Sequence, residues 1–392
     1  MSPHSSHRHL VARGFASLAV ALAALGAAAW PVSAVAPSER PSAAGPGAAT
    51  SPAKPGLQAV LGLLARTEGR QRFKGVRVQQ CVRQDMVLDA RARIDHLDGQ
   101  NYQIALTGPK ELDGLSLLLE RNQLTAFFPR EALLFQSDVS ATGEEVRDLV
   151  LGRVTTDVEA LQRHYRLSVA PETDIVALYP CWRVTAEPVG GYGPESPPGR
   201  RFWVARETGL VMKEERFWGP ADAAYFTSRY ESVSFVGKPS IGISPPKGVS
   251  RLRLEAGSPT EMRRFPTPEA ARAAGKAVAL PTAVPATFKL RAVDVMTLYG
   301  TDLVFLRYDD GLSHVVVTYR TKPNMFLTLV AGAFALALVE KISALSYHAP
   351  NNYAVVEKGD YLVYAYGDLY QDVLKGMAQS VPLGPTPRAG GQ

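Results

Sequence analysis

The sequence predicts a mainly β protein with some α: a large, strongly curved antiparallel sheet carrying helices, followed by a smaller α+β domain. Three observations carry this. About ten short runs rich in β-branched and aromatic residues succeed one another between positions 74 and 235, separated by turn residues. Helical spacing of apolar residues is confined to a few short stretches. A passage rich in Pro, Ala, Gly and Arg at 237–285 then separates this half from a second group of strands and helices.

The strand pattern is clearest at 200–235, RRFWVARETGLVMKEERFWGPADAAYFTSRYESVSF. Two strands, 201–206 and 210–218, flank Glu207-Thr208-Gly209, where Gly209 can supply the positive φ of a tight turn; a third strand follows at about 225–235. The chain has 392 residues, room for about two or three domains. It is 46% hydrophobic and 20% charged, the composition of a globular protein. The net charge is +6, and about +4 without Arg8 and Arg13. The basic residues are scattered and not interleaved with aromatics, which leaves a nucleic-acid role unsupported.

Residues 1–36 have the layout of a secretory signal: His7, Arg8, His9 and Arg13, then an Ala-rich apolar stretch at 15–30, then small-residue cleavage options at 32–36. A retained membrane anchor is the alternative. No Cys follows the apolar stretch closely, so lipoprotein processing is not expected, and the mature chain is expected in the periplasm. The Pro/Ala/Ser/Gly-rich residues 37–55 are expected to be a disordered tether.

In chain order, Leu57, Val60, Leu61 and Leu64 recur at helical spacing, predicting a helix over 57–67. Strands are expected at 74–83, 90–97, 101–107, 115–121, 123–129 and 132–136, with Asp98-Gly99, Gly108-Pro109, Asp113-Gly114 and Asn122 between them. A helical passage covers 144–152 and 157–164, and strands resume at 165–169, 175–179 and 181–188 before the Gly/Pro loop 190–199. After the linker, with a short helix at 267–276, strands are expected at 288–296, 303–308, 313–319, 353–356 and 361–366. The remaining helices are an apolar one at 325–345 and a terminal one at 368–380, before a disordered tail, 382–392. This divides the chain into 56–236, a linker 237–285, and 286–381.

Few residues suggest chemistry. Only His96, His164, His314 and His348 lie beyond the leader, none at metal-ligand spacing, and there is no GxSxG elbow, P-loop or GxGxxG. No metal, cofactor or enzymatic activity is expected. Asp309-Asp310 reads as a turn and Glu214-Glu215 as a solvated strand edge. Cys81 and Cys181 are the only cysteines. In an oxidising compartment such a pair could close a disulfide, worth roughly 4–5 kcal/mol over that span; buried free thiols are the other reading. The aromatics say more: Phe127, Phe128, Trp182, Phe202, Trp203, Phe217, Trp218, Phe226 and Tyr230 all fall on expected strands. They form either core against the helices or the lining of a ligand cavity, and period-two alternation leaves open which of Phe202 and Trp203 points inward. The uncharged stretch 325–339 would be about 22 Å long as a helix, short of the ~30 Å hydrocarbon core. A buried helix, a partner surface and a membrane contact are its three readings.

Four stretches resemble the MucB/RseB family of periplasmic regulators of an envelope-stress sigma factor: 106–129 (LTGPKELDGLSLLLERNQLTAFFP), 164–188, 200–218 (RRFWVARETGLVMKEERFW) and 306–319 (LRYDDGLSHVVVTY), followed by 359–381. The third is also similar to LolA-type lipoprotein carriers, so 306–319 is what favours the two-domain regulator. The resemblance implies an open, LolA/LolB-like half-barrel with plugging helices, then an α+β domain. It implies a lipidic or envelope-derived ligand in the half-barrel, with the aromatic set as candidate lining. It also implies a membrane-bound anti-sigma factor held by the second domain, with Tyr308, Asp310, Gly311 and Leu312 as candidate contacts. The helix at 325–345 and the long linker depart from the family pattern. The expected function is therefore an exported, non-enzymatic regulator or sensor. The alternatives are a periplasmic lipid or lipoprotein carrier and a structural envelope protein.

Overall fold

The computed structural model describes residues 56–67, 71–83, 86–98, 100–110, 112–121, 123–130, 132–137, 158–219, 223–254, 260–298, 301–322 and 352–384. The expected signal peptide, the tether, the helix at 144–152, the apolar helix at 325–345 and all but the start of the tail lie outside the described residues.

Helix α1 (Leu57–Thr67) precedes a meander of six strands: β1 (Phe73–Arg83), β2 (Met86–Asp98), β3 (Asn101–Gly108), β4 (Ser116–Glu120), β5 (Gln123–Phe128) and β6 (Leu133–Ser137). Helix α2 (Val158–His164) leads into a second meander, β7 (Tyr165–Val176), β8 (Tyr179–Pro188), β9 (Gly199–Ala205), β10 (Val211–Phe217) and β11 (Phe226–Ser234). Antiparallel pairing of β1 with β11 joins the two meanders. With β12 (Ser250–Leu254) added in parallel to β6, they form one twelve-stranded sheet, ordered β12-β6-β5-β4-β3-β2-β1-β11-β10-β9-β8-β7. The sheet is open: β12 and β7 are its outer strands. It also bends strongly. Three strand spacings, about 14 Å in a flat sheet, separate β8 from β11, yet the Tyr179 hydroxyl donates to the Val233 carbonyl at 3.4 Å.

The second sheet has six antiparallel strands in the order β13-β14-β15-β16-β18-β17: β13 (Thr260–Phe265), β14 (Lys289–Leu298), β15 (Thr301–Asp309), β16 (His314–Thr321), β17 (Asn352–Lys358) and β18 (Tyr361–Gly367). Helices α3 (Pro268–Ala273) and α4 (Gln371–Gln379) complete this unit. The fold class is thus mainly β, a large open antiparallel sheet followed by a smaller α+β unit.

Local signals account for most of these elements. Gly209 has φ +71 and closes the β9–β10 turn, donating to Ala205 O at 2.8 Å. Thr267 caps α3, its hydroxyl accepting from Ala270 N at 3.2 Å. Two readings change. The expected runs at 165–169 and 175–179 redistribute: β7 runs unbroken to Val176, Ala177-Leu178 form the turn, and Tyr179 opens β8; Pro171 falls where the β7–β8 register shifts, between Val169 and Thr173, so it disturbs pairing without ending the strand. Residues 237–285, expected as a linker, supply β12 to one sheet and β13 to the other: SRLRL keeps Arg251 and Arg253 exposed on its edge, while in TEMRRF Arg264 pairs with the buried Asp294 of β14 at 2.9 Å. Of the two readings of Cys81 and Cys181, the structure has the buried free thiols. They sit on β1 and β8, four strands apart in the order of the sheet, and both belong to its largest core.

The largest core runs along β1–β6 and takes in Met296, Leu303, Phe305, Val316 and Tyr366 of the second sheet. The opposite face of that sheet buries Val293, Val304, Leu306, Val315 and Val317 with Leu374 and Met377 of α4. A third core lies where Val60, Leu61 and Leu64 of α1 meet Val184, Phe202 and Val204. This is the apolar stripe that the 57–67 periodicity predicts.

Candidate functional site at the junction of the two sheets

The expected cavity aromatics divide between two cores and partly exposed positions. Phe202 and Trp203 are both buried, on opposite faces of β9: Phe202 under α1, Trp203 in the core of the first sheet. The indole Nε1 of Trp203 donates to Asp174 at 2.6 Å, and Lys213 lies over its ring. Phe226 and Tyr230 belong to that same core, and Phe217 is fully buried beneath Arg201, beside Tyr192. Phe127, Trp182 and Trp218 keep partial exposure. Trp218 stacks on Tyr225 and on Tyr370, the residue before α4, with ring centroids 5.2 and 4.1 Å apart. It therefore bridges the two sheets.

The expected partner contacts are also placed inside the chain. Tyr308 is buried in the core under α4. The turn after it enters the first unit, where Leu312 packs among Val60, Leu61, Leu64 and Phe202. Gly311 has φ +101 and sits so close to α2 that a Cβ would stand 2.9 Å from the Ala160 Cβ. Asp310 is more than a turn residue. Its Oδ1 accepts from Leu312 N (2.9 Å) and Ser313 N (2.7 Å), and its Oδ2 from the Tyr165 hydroxyl of β7 (2.7 Å). Burial raises the Asp310 carboxyl above its usual range, with those three hydrogen bonds opposing.

Beside this turn lies a cluster of four buried charges. Arg200 donates to Glu214 at 2.9 Å within the first sheet and to Asp368, just after β18, at 2.8 Å. Arg216 donates to the same two carboxylates at 2.9 and 2.5 Å. Arg200 Nη2 also reaches Ser313 Oγ at 3.4 Å, and His314 places its backbone N–H (3.1 Å) and Nδ1 (3.3 Å) on Asp368 Oδ2. Two guanidiniums face two carboxylates, and Arg77, buried on β1, adds a further positive charge near Glu214. Burial by itself would raise Asp368 and Glu214. The arginines outweigh it, holding Glu214 below and Asp368 well below the usual carboxylate range. Burial disfavours the Arg216 cation, but Asp368 and Glu214 raise its pKa further still.

Sequence reading missed this cluster and assigned Glu214 to a solvated edge. Only Glu215 fits that description, partly exposed between Arg201 and Lys213. The available signal was Glu214 and Arg216 at period two within VMKEERF, on the same face as Arg200 by the β9–β10 register. Nothing in the sequence points to Asp368 as their partner. Among the described residues, no group of three or more His, Cys, Asp or Glu could hold a metal ion, and no helix is long and apolar enough to cross a membrane.

The site is thus a polar junction between an open β-sheet and an α+β unit. No family model matches the chain, and no curated protein does. Among solved structures, MucB is similar at 14% identity and TM-score 0.49, over 83% of this chain and 96% of that one. The Pseudomonas aeruginosa MucA/MucB complex gives 13% and 0.49, over 82% and 97%. A LolA-superfamily protein of Nitrosomonas europaea gives 12% and 0.23, over 46% and 94%. At these values the likeness says nothing of what this chain binds.

Proposed function

We propose that the protein is an exported, non-enzymatic regulator or sensor. Its first unit, 56–236, takes a lipidic or envelope-derived ligand. Its second, 286–381, holds the periplasmic part of a membrane-anchored anti-sigma factor, as the resemblance of 306–319 to the MucB/RseB family implies. The observation that carries this reading is the junction. The turn of the resembling stretch is seated in the first unit, and Arg200 and Arg216 reach from the first sheet to Asp368 of the second. A ligand that moves β9 or β10 must then act on the second unit. Such a ligand weakens partner binding by the ratio of its affinities for the partner-free and partner-bound forms.

Of the aromatic set, the partly exposed Phe127, Trp182 and Trp218 are the contacts left open to a ligand, while the rest serve as core. The test uses the full chain, cross-linked in its own cells and purified from the envelope, with bound lipid and protein identified by mass spectrometry. A single-pass membrane protein cross-linked in stoichiometric amount, and cross-linked less when lipid is added beforehand, is the expected result. Lipid without any such protein would replace the reading with that of a carrier. Neither one would leave a structural envelope protein.

A further inference from the structure

We propose that His96 is an acid-sensitive latch: its neutral ring fastens the chain just ahead of β1 to the end of β2, and a second proton on the ring releases that chain together with the β9–β10 turn tied to it. The inference goes beyond the reading above and does not depend on it.

His96 lies near the end of β2 and is 1% exposed. In the strand register it stands opposite Phe73 of β1 and Tyr102 of β3. Its ring is stacked between theirs, with centroids 4.9 and 5.9 Å away and both interplanar angles 20°. Nδ1 lies 2.5 Å from the Gln71 carbonyl oxygen. A carbonyl oxygen only accepts, so Nδ1 carries the proton and the neutral ring keeps a bare lone pair on Nε2. That Nε2 is buried, with no hydrogen-bond partner among the described residues. Gln71 is fastened a second time, its side-chain Nε2 donating to the Thr208 carbonyl at 3.2 Å. One residue thus ties β2 to the turn between β9 and β10, the strands that bear Arg200, Glu214 and Arg216.

A second proton on Nε2 would meet no acceptor. The charge that bears on His96 is Asp98, farther along β2. Its Oδ1 accepts from Gln100 N at 2.9 Å, and Asn101 Nδ2 donates to both of its oxygens at 2.8 and 3.0 Å. Asp95, the preceding residue, belongs by strand alternation to the other face, where Arg93 meets it at 3.2 Å. Toward His96, β1 presents Phe73, β3 presents Tyr102, and the chain before β1 presents the Gln71 carbonyl; Tyr230 of β11 stands edge-on to Phe73. Burial accordingly pushes the His96 pKa below its ordinary value, with the Gln71 bond and Asp98 opposing. An imidazolium finds its second acceptor in water, and the ring reaches water only by leaving the stack and the Gln71 carbonyl.

The sign follows. The neutral ring's stabilisation is complete above about pH 6.5, the ordinary histidine value, and is lost as pH falls through the lowered folded value. One proton taken up only on opening raises the opening constant up to about tenfold per pH unit in that window.

Amide hydrogen exchange of the full chain at pH 7, 6 and 5, corrected for the intrinsic pH dependence of exchange, tests this. Amides of 71–75 and 206–210 should lose protection about tenfold between pH 7 and pH 5, while those of β4 and β5 keep theirs. His96→Asn retains a donor at the Nδ1 position and does not titrate, so it should abolish the loss. Should that variant fold poorly, the ring nitrogen resonances of the parent decide, with the Nδ1-protonated tautomer expected at pH 7 and titration only below about pH 6.5. Gln71→Ala keeps the carbonyl and removes the side-chain tie, so it should open 206–210 at every pH and confine the acid effect to 71–75. Protection independent of pH in the parent, the same loss in His96→Asn, or a His96 titration at or above the ordinary value would overturn the proposal.

Discussion

Replacing Arg200 with Met tests the junction directly. Arg200 is fully buried and donates to Glu214 and Asp368. Removing it leaves Arg216 as the one guanidinium hydrogen-bonded to Asp368, while Glu214 keeps Arg216 and the nearby Arg77, so the cluster loses one of its buried positive charges. Breaking a buried ion pair in this way costs about 3–5 kcal/mol, a large share of the ~5–15 kcal/mol that holds a typical domain together. Glu214→Leu alone removes a buried negative charge instead and has a similar expected cost. The double variant Arg200→Met/Glu214→Leu removes one charge of each sign and leaves Arg216 with Asp368. Because a whole buried pair can be replaced by apolar groups at little cost, it should be markedly less destabilised than the two single losses combined. The assay is urea unfolding followed by tryptophan fluorescence and by circular dichroism, read by linear extrapolation where the two probes coincide. A cost below ~1 kcal/mol for Arg200→Met, or simple additivity in the double variant, would refute charge pairing as the principle of this site.

Other consequences are open to measurement. Glu214 and Asp368 have lowered folded-state pKa values, so their contribution is present above the ordinary carboxylate range near pH ~4 and is lost as pH falls through the lowered values. Asp310 is raised and acts with the opposite sign. Asp368→Asn should therefore flatten the acid limb of Tm against pH, and an unchanged limb would show that other carboxylates govern it. Burial pushes the Cys181 thiol up to about 12. Native protein should resist a thiol reagent at pH 8, and denatured, unreduced protein should take up two equivalents. Gly367 has φ +151, and a Cβ there would collide with the His314 carbonyl oxygen and Val315 Cα. Gly367→Ala should cost several kcal/mol or abolish soluble expression, against a few tenths for Ala at the open Gly190.

The elements were largely legible because each rests on a local signal: Gly209 at its turn, the Leu57–Leu64 periodicity, the alternation in RRFWVA. What was not legible depends on strands meeting across long stretches of chain. No spacing rule tells that β11 returns beside β1, and without that seam the relation of Cys81 to Cys181 cannot be judged. Phe202 and Trp203 were undecidable because both faces of β9 are covered, one by α1 and the other by the sheet's own core. Glu214 was misread because burial reverses the meaning of a charge. Acids in a strand suggest water until the matching arginines are known, and Asp368, their partner across the junction, is contributed from 168 residues beyond Arg200.

The β1–β11 seam also sets an order of assembly. Its side-chain hydrogen bond from Arg77 to Ser228 spans 151 residues. A chain emerging from its N-terminus completes β1–β6 first, and that half-sheet must keep one flank of β1 unpaired until β11 has been made. Closing such a long loop is slow, and an open flank meanwhile invites wrong partners. Refolding of the full chain should accordingly be slow and concentration-sensitive. A permuted chain that begins at β7 and reaches β1 directly after β11 should refold faster to the same sheet.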